Sequence, residues 1–407
     1  GTEFGVFMTQ DAGESWDKLS SGMPTISIRD IQIQRRENDL VAASFGRGFF
    51  VLDDYSPLRD VSDETLEKEG HLFGARTADW YFPKRVLGYS KKGSQGDQLY
   101  VADNPPFGAN LTFHLSEGFS TLKSDRQSAE REAKDSDEAI SFPSWDEINA
   151  ELREEKADVM LLIRDQQGNV VRKVDAPESK GFHRVAWDLE YSFKGPIETP
   201  NSWRGTPPTG VMGLPGTYTA QVVVSEGGSE RALTEPVAFE VERLYEPHLK
   251  GNTLDEGMAF NLALGELSGR VSAARYAMRD AKSDIGKMEK MISRMSVDMP
   301  KVGAQLSALK AELAEINETL YGNDAREMLG GYGQHTVSSW LSHAMWGVSS
   351  SSYGPTASHR DSFSFAQMLF EPIQARLNVI TREEIPELKA TLEANGAPWT
   401  LGQPIGN

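Results

Sequence analysis

Thr9-Gln10-Asp11-Ala12-Gly13-Glu14-Ser15-Trp16 follows an apolar run, Phe4, Val6, Phe7 and Met8, near the start of a 407-residue chain. The run reads as a β-strand entering a tight turn. Thr9, Asp11, Gly13 and Trp16 satisfy the pattern Ser/Thr-x-Asp-x-Gly-x-x-Trp. A carboxylate at Asp11 can accept hydrogen bonds from backbone N–H groups of its own turn. Gly13 can take positive φ at little cost, and Trp16 is expected to drop its ring between neighbouring strands. Asp11 can be read as a catalytic acid or as a turn staple. The staple accounts for every residue of the motif through folding needs, so Thr9, Asp11, Gly13 and Trp16 are read as structural.

Outward from the turn, Asp30-Ile31-Gln32-Ile33-Gln34 alternates in polarity, and Asp39–Phe45 and Gly48–Asp54 are further strand-like runs. Polar turns separate them at residues 35–39 (RREND) and 46–48 (GRG). Three strands are therefore expected over residues 28–54. Arg47, between two glycines, is a candidate to reach an anion or a ligand. Its plainer role is a hydrogen bond to neighbouring structure. Asp53 and Asp54 form the most tempting carboxylate pair for glycoside chemistry. Adjacent residues on a strand point to opposite faces, so the pair reads as strand-end caps.

The four-position pattern resembles the Asp-box of bacterial neuraminidase (BNR) repeats and of sortilin-type β-propellers. The run ENDLVAASFGRGFFVLDD, Glu37 to Asp54, resembles the terminal blade of large bacterial sortilin-like, glycosyl-hydrolase-like repeat proteins. The resemblance implies four-stranded blades. Residues 1–20 would be the outer half of one blade and 28–54 the inner strands of the next. It implies an upstream propeller portion of the same protein as partner, since a blade and a half cannot bury its own faces. The chain is thus expected to be the C-terminal piece of a longer bacterial protein, secreted, periplasmic or associated with the outer membrane.

Sixty acidic residues against 42 Lys and Arg give a net charge of −18, which disfavours nucleic acid and anionic membrane surfaces as partners. An apolar content of 39% supports real cores in two or three domains. The absence of cysteine excludes disulfides, thiolate catalysis and Cys-ligated metals. No apolar run is long enough for a membrane-spanning helix.

The fold class expected is multidomain: terminal β-propeller blade strands over 1–58, a connector over 59–96, a β-sandwich of immunoglobulin or fibronectin III character over 97–245, and an α-helical hairpin or bundle over 246–407. The sandwich rests on short strands at 99–102, 109–116, 158–165, 169–176, 183–190, 216–225 and 237–244. Hairpin signals stand at Asp165–Asn169 and Glu226-Gly227-Gly228. The run from 163 to 224 resembles the Ig-like modules of exported bacterial proteins, with Trp187 and Leu189 facing the core. Two insertions interrupt it. Residues 117–157 are highly charged and helix-permissive, a solvated excursion. Residues 192–216 are rich in Pro and Gly and present Trp203 beside Arg204, candidates to stack on a sugar or grip a partner.

From Asn252 the period changes. Leu267, Val271, Ala274, Met278, Ala281, Ile285, Met288, Ile292 and Met295 step by 4 and 3, a heptad seam. Val302, Leu306, Leu309, Leu313, Ile316 and Leu320 form a second, with Pro300 suited to its first turn. A short link between them makes an antiparallel hairpin. Helices follow near 335–348 and 358–380, the latter with Pro372 as an expected kink. The tail from Pro355 to Trp399 resembles the helical tail of the same sortilin-like family.

No zinc-protease, Walker, nucleophile-elbow or dinucleotide motif is present. His335, His343 and His359 lie close enough in sequence to raise a metal site, though solvated or capping roles explain them as well. No catalytic residue, cofactor or metal is assigned. The expected role is non-catalytic: completing a propeller and offering surface for protein or glycan contact. The rival is a glycoside-hydrolase or sialidase-like enzyme whose carboxylates lie upstream. A third reading is a homodimer through the heptad face.

Overall fold

The structure, a computed structural model, describes residues 1–20, 22–83, 102–197, 210–246, 248–331, 333–349 and 351–398. The chain divides into two compact units, residues 1–190 with 215–244 and residues 191–214 with 245–407. The expected strand at 99–102 lies almost wholly outside the described residues.

The first unit begins with the antiparallel pair β1 (Val6–Met8) and β2 (Asp17–Leu19), in register Val6↔Leu19 and Met8↔Asp17. A three-stranded antiparallel sheet follows, β3 (Ile28–Gln34), β4 (Asp39–Ser44) and β5 (Phe49–Leu52), in that order. Val6, Ile28 and Ala42 form a small core, with Leu19, Ile31, Leu40 and Phe50 packed around it.

The stretch read as a connector carries structure of its own. After the short helix α1 (Asp63–Glu67), capped by Ser62 and Thr65, come β6 (Gly70–Leu72) and β7 (Ala78–Trp80). β8 (Ala109–Leu115) leads into the helices α2 (Leu122–Asp135) and α3 (Trp145–Arg153). β9 (Asp158–Arg164), β10 (Val170–Asp175), β11 (Gly181–Trp187), β12 (Gly216–Glu226), β13 (Ser229–Ala232) and β14 (Val237–Arg243) complete the unit. One sheet runs β10-β9-β12-β14-β7 with β13 beside β12; another runs β11-β8-β6. β7 joins β14 in parallel, Ala78↔Val241 to Trp80↔Arg243. Among the described residues, several sheets and the helices beyond them make a mixed α/β, multidomain chain.

The two larger sheets meet through aromatic rings. Trp187 of β11 packs edge-on against Tyr218 of β12 at 4.8 Å and Phe239 of β14 at 6.1 Å. Its indole N–H is satisfied by the Glu190 carbonyl at 2.8 Å. Leu189 is also buried, and it takes a left-handed φ of 62° to turn inward after the strand. Gly108 is obligatory opposite: a Cβ there would stand 1.9 Å from the Trp187 carbonyl oxygen. The hairpin signals mature as turns. Asp165 Oδ1 accepts from the amides of Gln167 and Asn169, and Gly227 and Gly228 both take positive φ between β12 and β13.

The second unit is helical. α4 (Leu254–Ile292) is 39 residues long, about 58 Å at 1.5 Å per residue. Thr253 and Glu256 close a capping box at its start. α5 (Pro300–Tyr321) begins on Pro300, and Val302, Leu306, Leu309, Leu313, Ile316 and Leu320 are all buried. From Leu267 to Met288 every seam residue of α4 is buried; beyond it Met291 takes the buried position while Ile292 and Met295 are half-buried, because α4 ends at Ile292. Lys310 pairs with Glu289 at 2.9 Å across the antiparallel pair. α6 (Asp324–Met328), α7 (Val337–Ser349) and α8 (Ala357–Val379) follow, α8 continuing through Pro372. A π-helical turn, Ile380–Glu384, then leads into α9 (Ile385–Ala394). Pro386 has no N–H to give the Arg382 carbonyl, and the Ile385 amide reaches back five residues to the Ile380 carbonyl instead. Chain segment 194–195 lies against α4, where a Cβ at Gly269 would come within 2.7 Å of the Lys194 carbonyl.

Candidate functional site

The Asp11 turn is closed by its own side chains. Thr9 Oγ1 donates to Asp11 Oδ1 at 2.7 Å and accepts the Gly13 amide at 2.8 Å. Asp11 Oδ1 accepts the Ser15 amide at 3.0 Å, and Oδ2 accepts the Ser15 hydroxyl at 2.5 Å. These bonds, the Ser15 hydroxyl foremost, hold the Asp11 carboxyl far below the usual carboxylate range. Ala12 and Gly13 take φ of 59° and 103°. A carboxylate this saturated by donors is a poor proton acceptor. Trp16 does not lie between strands: it is 60% exposed, since among the described residues β1 and β2 pair only with each other.

The β3–β5 sheet has two unlike faces. Ile31, Ala42 and Phe50 align across the strands and look to the small core. On the other face Val41 pairs with Val51 and Ala43 with Phe49. Phe49 is 74% and Val51 54% exposed. The same face carries Asp30 and Gln32 on β3. At the tip of the β4–β5 hairpin Gly46 and Gly48 both take left-handed φ, and the Gly48 carbonyl accepts the Ser44 amide at 2.9 Å. Arg47 stands exposed between them, with exposed Phe45 on one side and Phe49 on the other; Arg29 lies 4.7 Å over the Phe45 ring. Exposed aromatics thus flank a guanidinium at a hairpin tip, an arrangement suited to stacking and to hydrogen bonding.

Asp53 and Asp54 follow β5 and do not converge on a cleft. The Asp54 amide donates to Asp39 Oδ1 at 2.9 Å, and its carboxylate accepts the Ser56 hydroxyl at 2.6 Å. Asp54 is buried, with a left-handed φ of 43°. Burial, with Asp39 nearby, pushes the Asp53 carboxyl above the ordinary range. Arg184 of β11 donates to the carbonyls of both residues.

The histidines separate. His335 stacks on Trp340 at 4.5 Å, while His343 and His359 meet edge-on at 5.2 Å. His343 Nδ1 lies 2.9 Å from Ser362 Oγ, whose own proton goes to the Ser358 carbonyl. His359 Nδ1 accepts the Thr356 amide at 3.2 Å, closing the α8 capping box. Burial, with His343 beside it, holds the His359 imidazole below its ordinary pKa. Among the described residues no three His, Asp or Glu side chains are placed to hold a metal ion, and no helix is long and apolar enough to cross a membrane. Trp203 and Arg204 lie outside the described residues.

Sequence reading missed the surface between α2 and α3, where exposed Phe142 lines a groove. The signal was present in Ile140, Phe142, Trp145, Ile148 and Leu152, apolar residues spaced along an otherwise charged insertion.

No family model matches the sequence, and no curated protein matches it. Among solved structures, the crystal structure of dimeric latent PorU from Porphyromonas gingivalis is similar over 50% of this chain and 12% of its own, at 12% identity and a TM-score of 0.19. The chain therefore spans about an eighth of that protein's length.

Proposed function

We propose that residues 1–58 are terminal blade elements of a sortilin-like, Asp-box β-propeller, and that the chain serves a non-catalytic role in an exported protein. It would complete and brace the propeller and offer surface for protein or glycan contact. The observation that carries this reading is the open face of β3–β5, with Phe49 and Val51 in solvent beside polar Asp30 and Gln32. Soluble proteins seldom leave such rows uncovered without a partner surface. Among the described residues no further strand pairs with β3 or β5, although the Ile28 amide at the start of β3 donates to the Thr2 carbonyl at 2.9 Å; open sheet edges are templates for further strands, which supports the same reading. The two-sheet core around Trp187, with its short antiparallel strands, supports an Ig-like module behind the blade.

The test is a photo-crosslinker in place of Phe49 in the natively expressed protein, followed by size exclusion and mass spectrometry. The expected product is a cross-link to an Asp-box-bearing polypeptide, within the same protein or co-eluting until denaturation. A folded chain that elutes alone, with no cross-link at position 49, overturns the proposal.

A further inference from the structure

α2 and α3 leave the sheets between β8 and β9, and neither helix buries a single residue. A polar clamp joins them. Arg126 donates from Nε and Nη2 to the two carboxylate oxygens of Glu151, at 2.6 and 2.9 Å, and from Nη1 to Glu130 at 2.6 Å. The Leu122 amide donates to Glu154 at 2.8 Å. Bidentate geometry fixes the helices relative to each other.

The clamp holds open a groove of about 460 Å³, within the range of roughly 300–1,000 Å³ typical of binding sites. Its apolar lining includes Leu122, Ala129, Ala133, Ile140, Phe142 and Ala150. Phe142 is 93% exposed. Ala129 and Ala133 lie one turn apart on α2, so a partner backbone can approach closely there. Three carboxylates, Glu130, Glu147 and Glu151, line the groove against one guanidinium, and Arg126 is already engaged by two of them. Residues 117–157 carry 12 Asp and Glu against 6 Lys and Arg. A second copy of this surface, or an anionic lipid surface, would meet like charge.

We propose that the α2–α3 groove docks a cationic amphipathic helix of a partner protein, its apolar residues at i, i+3 or i+4 and i+7 filling the groove and its Lys and Arg meeting the acidic rim. This is helix-in-groove recognition, with the charge setting the encounter rate and the partner class. It is independent of the open β3–β5 face.

The test uses the full chain and a fluorescein-labelled 14-residue Leu/Lys peptide patterned as an amphipathic helix. Controls are the same residues in scrambled order and a Leu/Glu counterpart. Saturable one-to-one binding of the patterned peptide is expected by anisotropy, weakening with salt, with the Leu/Glu peptide failing to bind. Phe142→Ser and the groove-filling Ala129→Gln should each weaken binding at least tenfold, with unfolding temperatures unchanged because both positions are exposed. Equal binding of the scrambled peptide, or unchanged binding by both variants, overturns the proposal. So does a dimer in sedimentation that Phe142→Ser dissolves, which would make a second copy the occupant.

Discussion

Arg184 donates a hydrogen bond from Nη2 to the main-chain carbonyl of Asp54 at 2.7 Å, across 130 residues of sequence. Its Nη1 reaches the Asp53 carbonyl, and its Nε bonds Thr112 Oγ1 at 3.2 Å. One side chain on β11 thus holds the turn that ends the β3–β5 sheet. Arg184→Ala should loosen that turn at a cost on the order of 1 kcal/mol, the net worth of a typical hydrogen bond. Hydrogen exchange would show faster amides at Asp54 and Ser56, with β12 and β14 unchanged. Unaltered exchange at both amides would mean that Asp39 and Ser56 hold the turn by themselves.

The Asp11 hairpin should be sensitive to acid. The folded carboxyl titrates below its unfolded value, so its stabilisation is present above about pH 4 and declines as pH falls through the range below that. Asp11→Ala should increase exchange at the Ser15 amide at neutral pH and remove the acid dependence of that amide. Equal protection of Ser15 in variant and wild type at pH 7 would show that the turn closes without the carboxylate.

In the helical unit, Leu306 and Ile285 are fully buried on facing seams. Leu306→Ala should destabilise that unit by roughly 2–5 kcal/mol, the usual range for a core leucine. Lys310→Ala, which breaks a half-exposed pair with Glu289, should cost less than about 1 kcal/mol. Denaturant titration followed by circular dichroism at 222 nm separates the two, and comparable losses would contradict the heptad packing.

His114 on β8 lies opposite His71 on β6. It is buried, and its Nδ1 has no hydrogen-bond partner among the described residues. Burial first, then Lys180, His183 and His71, lower its pKa. The unfolded imidazole binds a proton near pH 6.5, before the folded one does. Stability should therefore fall as pH drops below about 6.5. His114→Phe should flatten the dependence of the unfolding midpoint between pH 7.5 and 5.5. An unchanged slope would assign that dependence to other groups.

Much of the local architecture was legible because short-range chemistry decides it. The Thr9–Ser15 turn, the Gly227-Gly228 hairpin and the α4–α5 seams each depend on residues within one turn or one heptad. The candidate site was legible only in part. Arg47 at a glycine-flanked tip was visible in the sequence, but the solvent exposure of Phe49 and Val51 was not. Their alternation with Phe50 and Leu52 marks two faces without saying which one is covered.

The sequence by itself determined the turns, the heptad helices and the charge of the chain. The tertiary structure decided which strands became neighbours: β7 beside β14, β6 beside β8, and Arg184 against Asp54. It also decided that α2 and α3 are held by Arg126 around an open groove rather than packed on a core. Local periodicity reports which face of an element is apolar, whereas long-range pairing depends on register and contacts between residues far apart in the chain, and these exist only once the chain has folded.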